Sequence, residues 1–202
     1  MKIAIIVEGQ TENAFMPALR RFLSARLAGQ MPNLAPLLYN ARIPKEDKLK
    51  RVVENLLSGA RASDAVIALT DVYTGGDDFV DAADAKRKMC DWVGANPAFH
   101  PHAAQYDFEA WLLPYWPTIQ RLSRTNQTAP GGNPEKVNHT TPPAHRLQAL
   151  FERGKCRDSY QKPRDAGRIL RENDLTVAAQ RCSELKALLN TILSLSGGDL
   201  LP

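Results

Sequence analysis

Acidic side chains placed just after apolar runs are the first chemistry this chain offers. Glu8 follows Lys2–Val7 and stands beside Gly9. Asp71 follows the run Ala65–Leu69 and Thr70, and Asp77 and Asp78 come after the pair Gly75-Gly76. Glu109 lies between Phe108 and the apolar anchor Ala110-Trp111-Leu112-Leu113. Carboxylates brought close together repel and resist joint ionisation. A divalent cation removes that conflict: Mg²⁺ prefers oxygen ligands, keeps several waters and often bridges one or two carboxylates to a phosphate. Held in this way it polarises a phosphoryl oxygen, activates a water or stabilises a leaving alkoxide. A lone acid at a strand end is more often a helix cap or a surface group. The glycines beside Glu8 and near Asp71 are what raise these acids above that ordinary role, because a ligand or another backbone can approach closely there.

The elements that would position these acids follow from periodicity. Lys2–Val7 is a short Ile-rich run, expected to be a buried strand. Thr11 is a candidate cap for a helix carrying Phe15, Leu19, Phe22, Leu23 and Leu27. Leu34–Ile43 contains a second strand, and Leu49, Val52, Val53, Leu56 and Leu57 mark a second helix. Ala65–Leu69 is a third strand. A third helix is expected with Phe79, Ala83, Lys86, Cys90 and Val93 on one stripe. A fourth strand lies within His100–Gln105, with a helix starting near Asp107. The alternation of strand and helix implies a mostly parallel sheet covered on both faces. In such sheets, sites form beyond the carboxyl ends of the strands, where Glu8, Asp71 and Glu109 fall. Arg124–Pro143 reads as an irregular loop or lid. Helices follow around Ala144–Arg153, Pro163–Glu172 and Thr176–Leu195. The division expected is an α/β core over residues 1–115, and a loop with a basic helical extension over 116–202, packed on the core.

Charge is unevenly spread. Residues 1–110 hold 13 Lys/Arg and 14 Asp/Glu, a net −1, whereas residues 111–202 hold 13 and 8, a net +5. An acidic first half and a basic second half suit a polyanion whose phosphates meet both metal and arginine. The densest basic stretch is Arg153, Lys155, Arg157, Lys162, Arg164, Arg168 and Arg171. Its contacts to phosphate would be salt-dependent and indifferent to sequence. The plainer alternative is a solvated basic helix surface. No apolar run approaches the ~20 residues of a membrane helix, and Glu8 interrupts the only N-terminal apolar run, so no membrane association is expected and the cytoplasm is the expected location. Cys90, Cys156 and Cys182 are too far apart for a Cys-x-x-Cys site and too few for a disulfide framework. His100 and His102 form a His-x-His that can begin a zinc site, without a Cys or third His at a familiar spacing. Trp116, between Tyr115 and Pro117, is the tryptophan most suited to an exposed base-stacking platform. No Gly-x-Ser-x-Gly elbow, P-loop or dinucleotide fingerprint occurs.

Three motifs carry a family resemblance. Ile-Ile-Val-Glu-Gly-Gln-Thr-Glu, residues 5–12, resembles the glutamate motif that opens a Toprim domain. Ala-Leu-Thr-Asp-Val-Tyr-Thr-Gly-Gly-Asp-Asp-Phe, residues 68–79, resembles its second acidic motif. Gln-Tyr-Asp-Phe-Glu-Ala-Trp-Leu-Leu, residues 105–113, followed by Asn133-Pro134-Glu135, by Tyr160 with Lys162, and by a closing amphipathic helix, resembles a bacterial family of unknown function. That family comprises short Toprim-like proteins related to nucleases of the overcoming-lysogenisation-defect type. The resemblance runs over roughly residues 2–195 and implies a parallel sheet of about four strands and Mg²⁺- or Mn²⁺-dependent phosphoryl transfer on DNA or RNA. The family glutamate matches Glu8, a metal ligand or general base, and the first aspartate of the Asp-x-Asp motif matches Asp71. The second falls on Tyr73, a departure from the pattern, since a phenol is a poor Mg²⁺ ligand. Asp77 or Asp78 could supply the missing ligand, Glu109 could ligate a second metal, and Lys162 could contact the scissile phosphate. The resemblance also implies a role as effector of a phage-defence pair whose other half is an SMC-like or AAA-type ATPase. The Tyr73 departure keeps open a catalytically silent module that binds nucleic acid or such an ATPase. A small-molecule phosphohydrolase would use the same acids, but the basic second half favours a polymer.

Overall fold

The computed structural model describes residues 1–39, 41–73, 78–137, 141–154 and 159–202. Four strands form one all-parallel sheet: β1 (Lys2–Val7), β2 (Asn33–Leu38), β3 (Ala65–Asp71) and β4 (Phe99–Ala104), in the order β2-β1-β3-β4. Helices α1 (Gln10–Ser24), α2 (Glu46–Leu57) and α3 (Ala82–Val93) connect them. A 3₁₀ segment, Phe108–Tyr115, leads from β4 into α4 (Trp116–Ser123). The chain ends with α5 (Pro143–Arg153), α6 (Lys162–Arg171), α7 (Leu175–Ala179) and α8 (Ser183–Leu195). The expected α/β class and strand count are therefore present.

Side-chain alternation explains the layers. Ile3, Ile5 and Val7 of β1 point into one core with Phe15, Leu19 and Leu23 of α1 and with α6 and α8. Ala4 and Ile6 point into the opposite core with Leu49 and Val53 of α2 and Met89 of α3. A strand apolar on both faces must be covered on both, and each fully buried Ile, Val or Leu contributes roughly 1.5–3 kcal/mol. The register pairs Val7 with Leu69 and Asp71 with Ala104, so the ends of β1, β3 and β4 lie side by side.

Several elements differ from expectation for local reasons. Helix α1 starts at Gln10 with Gly9 as its cap, and the Glu12 carboxylate accepts from the Gly9 N–H at 3.1 Å. The buried stripe of α3 keeps the expected Val93 but takes Ala82, Ala85 and Met89 in place of Ala83, Lys86 and Cys90, which leaves Cys90 exposed. The final helix is broken into α7 and α8 around Gln180–Cys182. Trp116 is buried and donates its indole N–H to the Gln127 carbonyl at 2.8 Å, so it is no exposed platform. His102 is also a core residue: its Nε2 lies 3.1 Å from Thr191 Oγ1, and burial, with Lys86 and His100 nearby, pushes its pKa down to about 3.

The C-terminal helices are held to the sheet at identifiable points. Arg21 of α1 donates to the carbonyls of Leu170 at 2.8 Å and Asn173 at 2.9 Å, capping the end of α6. Gly154 lets α5 end against α4, because a Cβ there would lie 1.6 Å from the Ser123 carbonyl oxygen. The irregular segment after α4 is pinned by Glu135. This buried carboxylate accepts from Trp111 Nε1 at 2.8 Å, Ser183 Oγ at 3.0 Å and the Glu184 N–H at 2.9 Å, so it caps α8 from a distance. These donors, with the Leu185 N–H at 3.4 Å, lose their common acceptor once the carboxylate is removed. Glu135→Ala is expected to lower unfolding free energy by roughly 2–4 kcal/mol, read by urea denaturation; a loss under ~0.5 kcal/mol would contradict this anchoring role.

Candidate functional site

The strand order reverses between β1, whose chain leaves toward β2, and β3, which lies on its other side. At such a switch point the connecting segments diverge and leave a crevice beyond the carboxyl edge. Glu8 comes one residue after β1 and Asp71 is the last residue of β3. The parallel register sets them close, and the hydroxyl of Thr70 donates to Glu8 Oε1. The chain after β2 is held across Glu8 by the Ala41 N–H, which donates to the Glu8 carbonyl at 3.0 Å and brings Arg42 to the rim. Beyond β4, Tyr106 turns the chain with a positive φ of 71°, and the 3₁₀ segment carries Glu109 inward. Helix α6 begins at this edge and adds Lys162.

These parts enclose a cleft of about 550 Å³ whose wall includes Glu8, Glu12, Asp71, Tyr73, Glu109 and Lys162. Glu109 is fully buried; its Oε2 lies 3.5 Å from Lys162 Nζ, and Tyr160 donates its hydroxyl to Oε1 at 3.4 Å. Asp107 is buried beside it, with Oδ2 accepting from the Ala144 N–H at 3.0 Å.

Crowding and burial set the electrostatics. Burial, then Glu12, pushes the Glu8 carboxyl up to about 7, against the pull of the Thr70 hydroxyl. Asp107 is likewise pushed up to about 7 by burial and by Glu109. Asp71 is raised well above the carboxylate range by burial and by Glu12, Glu8, Asp107 and Glu109. Glu12 and Glu109 are also raised, burial being the chief cause in both. Burial opposes the charge of Lys162, but Glu109, Asp107 and Asp71 outweigh it and hold the ammonium above its ordinary value.

The structure thus brings Glu8, Asp71, Glu109 and Lys162 together. Asp78 is engaged by two cations: its carboxylate lies 2.9 Å from Nη1 of Arg42, a residue of the cleft rim, and 2.5 Å from Lys45 Nζ. Asp77, Lys155 and Arg157 lie outside the described residues. Arg153 and Arg171 are exposed at the ends of α5 and α6, while Arg164 and Arg168 pair with the fully buried Asp165 at 2.9 and 3.5 Å. Sequence reasoning overlooked Glu12 and Asp107. Their signals were available, since Glu12 is one helical turn from Glu8 and Asp107 is two residues before Glu109.

Among the described residues, no three His, Cys, Asp or Glu side chains are already drawn together as a metal-coordinating set. The donor chemistry nonetheless fits a hard cation. The acids are all oxygen donors; among the described residues Asp107 Oδ1 is buried without a hydrogen-bond partner, and Glu109 Oε2 has only its 3.5 Å ion pair with Lys162. Two carboxylates with retained waters satisfy Mg²⁺.

A family model for a domain of unknown function, DUF4276, matches residues 7–193. The chain belongs to the DUF4276 family. No curated protein matches the sequence. In structure, this DUF4276 chain resembles the C-terminal region of the Burkholderia pseudomallei OLD protein, with 14% identity, a TM-score of 0.54, and 96% of this chain and 98% of that one covered. The C-terminal region of the Xanthomonas campestris pv. campestris OLD protein is similar at 16% identity and a TM-score of 0.50, covering 96% and 95%. The fold is therefore the Toprim-like one that the motifs implied, similar to that of the C-terminal region of OLD proteins. Among the described residues, no helix is long and apolar enough to cross a membrane.

The raised carboxyls make a signed prediction. A group whose folded pKa exceeds its unfolded value stabilises the fold below the unfolded value, and that stability is lost as pH rises through the folded one. For Glu8 the limits are 4.5 and about 7, and for Asp107 they are 3.8 and about 7. Stability of the metal-free protein is expected to fall between pH 4 and about 7. Asp107→Asn, which keeps an acceptor for Ala144, should flatten this fall and raise stability at pH 8 by on the order of 1 kcal/mol. Thermal melts across this pH range check it; a melting temperature rising through the window would refute it.

Proposed function

We propose that the chain is a Toprim-type, metal-dependent phosphodiesterase acting on nucleic acid. The observation that carries this reading is the convergence of Glu8, Glu12, Asp71 and Glu109 on one cleft, with Asp107 buried within their field and Lys162 set against Glu109. Mg²⁺ or Mn²⁺ held by Glu8 and Asp71, with Glu109 in support, would neutralise the excess charge, polarise a phosphoryl oxygen and acidify a bound water.

The chain's own groups divide the remaining work. Glu8 would either ligate that cation or, where Asp71 and Glu109 hold it instead, take a proton from an attacking water as general base. Lys162 is held protonated by its acidic neighbours and donates through Nζ to a phosphate oxygen. The N-terminus of α1 opens onto the cleft and favours an anion there. Arg153, Lys155, Arg157, Arg164, Arg168 and Arg171 would track the backbone charge without reading sequence. An SMC-like or AAA-type ATPase is the proposed partner, a reading supported by the family resemblance.

A second reading is a silent module that binds nucleic acid or the ATPase. Two observations favour it: Tyr73 stands where the Toprim pattern has its second aspartate, and Asp78 is engaged by Arg42 and Lys45.

The two readings separate experimentally. Under the first, Mg²⁺ or Mn²⁺ elicits cleavage of DNA or RNA that chelation abolishes. Glu8→Ala and Asp71→Ala each reduce the rate about 10²-fold or more, while melting temperatures stay at or above that of the parent. Absence of cleavage with and without the ATPase, together with no heat of binding on metal titration, would discard the enzymatic reading in favour of the silent module.

A further inference from the structure

Tyr73 departs from the metal-binding pattern, yet its ring is neither buried nor remote from the site. It is 42% exposed and forms part of the cleft wall. Its centroid lies 5.4 Å from that of Tyr106, with the ring planes tilted by 46°. Neither ring belongs to the three apolar cores of the protein.

The backbone is arranged around this pair. Tyr106 has a φ of 71°, a left-handed conformation that bulky residues avoid. A hydrogen bond from the Tyr73 N–H to the Tyr106 carbonyl, at 2.6 Å, ties the two segments together. This single turn sets Tyr106 against Tyr73, which lines the cleft, and leads into the buried Asp107 and Glu109. Strain kept at such a position is a pointer to function.

We infer that Tyr73, braced by Tyr106, is a stacking subsite for one unpaired nucleobase next to the phosphate that occupies the carboxylate cleft. The substrate class is therefore single-stranded nucleic acid or an unpaired end. This rests on the reading of the cleft as a phosphodiester site. A flat π-face stacks on any base, which suits a site without a sequence-reading element. Bases within a duplex already have both faces covered by their neighbours, so only unpaired ones reach the ring. An aromatic ring also explains why a phenol is acceptable where a carboxylate would otherwise ligate metal: the position serves the base rather than the cation.

The test is equilibrium binding of labelled pentathymidylate in Ca²⁺, followed by anisotropy, with five further oligomers each lacking one base. For the parent protein, loss of the base at one position is expected to weaken binding about tenfold, equivalent to about 1.4 kcal/mol. Tyr73→Leu should bind intact pentathymidylate about as weakly as the parent binds that abasic oligomer, and should no longer respond to the missing base. Tyr73→Phe should keep the parental pattern. Far-ultraviolet spectra and melts of both variants establish that they fold. Retention of the base dependence in Tyr73→Leu, equal loss in Tyr73→Phe, or indifference of the parent to every base would overturn the subsite. Base-dependent binding without Mg²⁺-dependent cleavage would overturn the hydrolytic reading and leave the subsite standing. Cleavage without base dependence would do the reverse, and failure to bind any oligomer would remove both.

Discussion

Mutual repulsion among buried carboxylates is the constraint around which this protein is built. Glu8, Glu12, Asp71 and Glu109 line one cleft with Asp107 buried close by, and Glu8, Glu12, Asp107 and Glu109 all raise the Asp71 carboxyl. Such an acidic edge is tolerated only where the remainder of the fold is secure. The two apolar faces of the sheet provide that security, because β1 is buried on both and cannot shift without exposing Ile or Val. Local groups soften the repulsion without abolishing it: the Thr70 hydroxyl at Glu8, the Gly9 N–H at Glu12, and Lys162 with Tyr160 at Glu109. A cation that relieves the rest would thus couple its binding to the stability of the whole edge.

The C-terminal helices are part of this arrangement. Helix α6 packs along α1 and starts at the cleft, so Lys162 reaches Glu109 although 53 positions separate them in the chain. Arg21 fixes the far end of α6, and Glu135 fixes the start of α8. The basic character of the second half is also modulated by the fold. Asp165, fully buried, binds Arg164 and Arg168, so part of the positive charge is spent within the helix that bears it.

Much of the core and part of the site could be read directly from the residues. The strand run Lys2–Val7, the third strand beginning at Ala65, and the placement of Glu8, Asp71 and Glu109 at or beyond strand ends all follow from apolar periodicity and the geometry of parallel sheets. The motifs supplied Lys162, which no spacing argument could link to Glu109. Element boundaries and stripes were less legible. In α3 the choice between the Cys90 and Met89 stripes turns on one residue of rotation, which small alanines do not resolve. Trp116 looked exposed because its neighbours are turn formers, whereas the Gln127 carbonyl satisfies its indole and permits burial.

By itself the sequence determined the alternation of elements, the two-sided burial of the strands and the short list of acids, because these depend on local period and on residues adjacent in the chain. Only the tertiary structure decided which acids share a field. Glu12 joined the cleft from the first turn of α1, Asp107 came within the field of Asp71 through the turn after β4, and Asp78 went to Arg42 and Lys45. Electrostatic coupling depends on through-space distance and burial, and neither is encoded in the separation of residues along the chain.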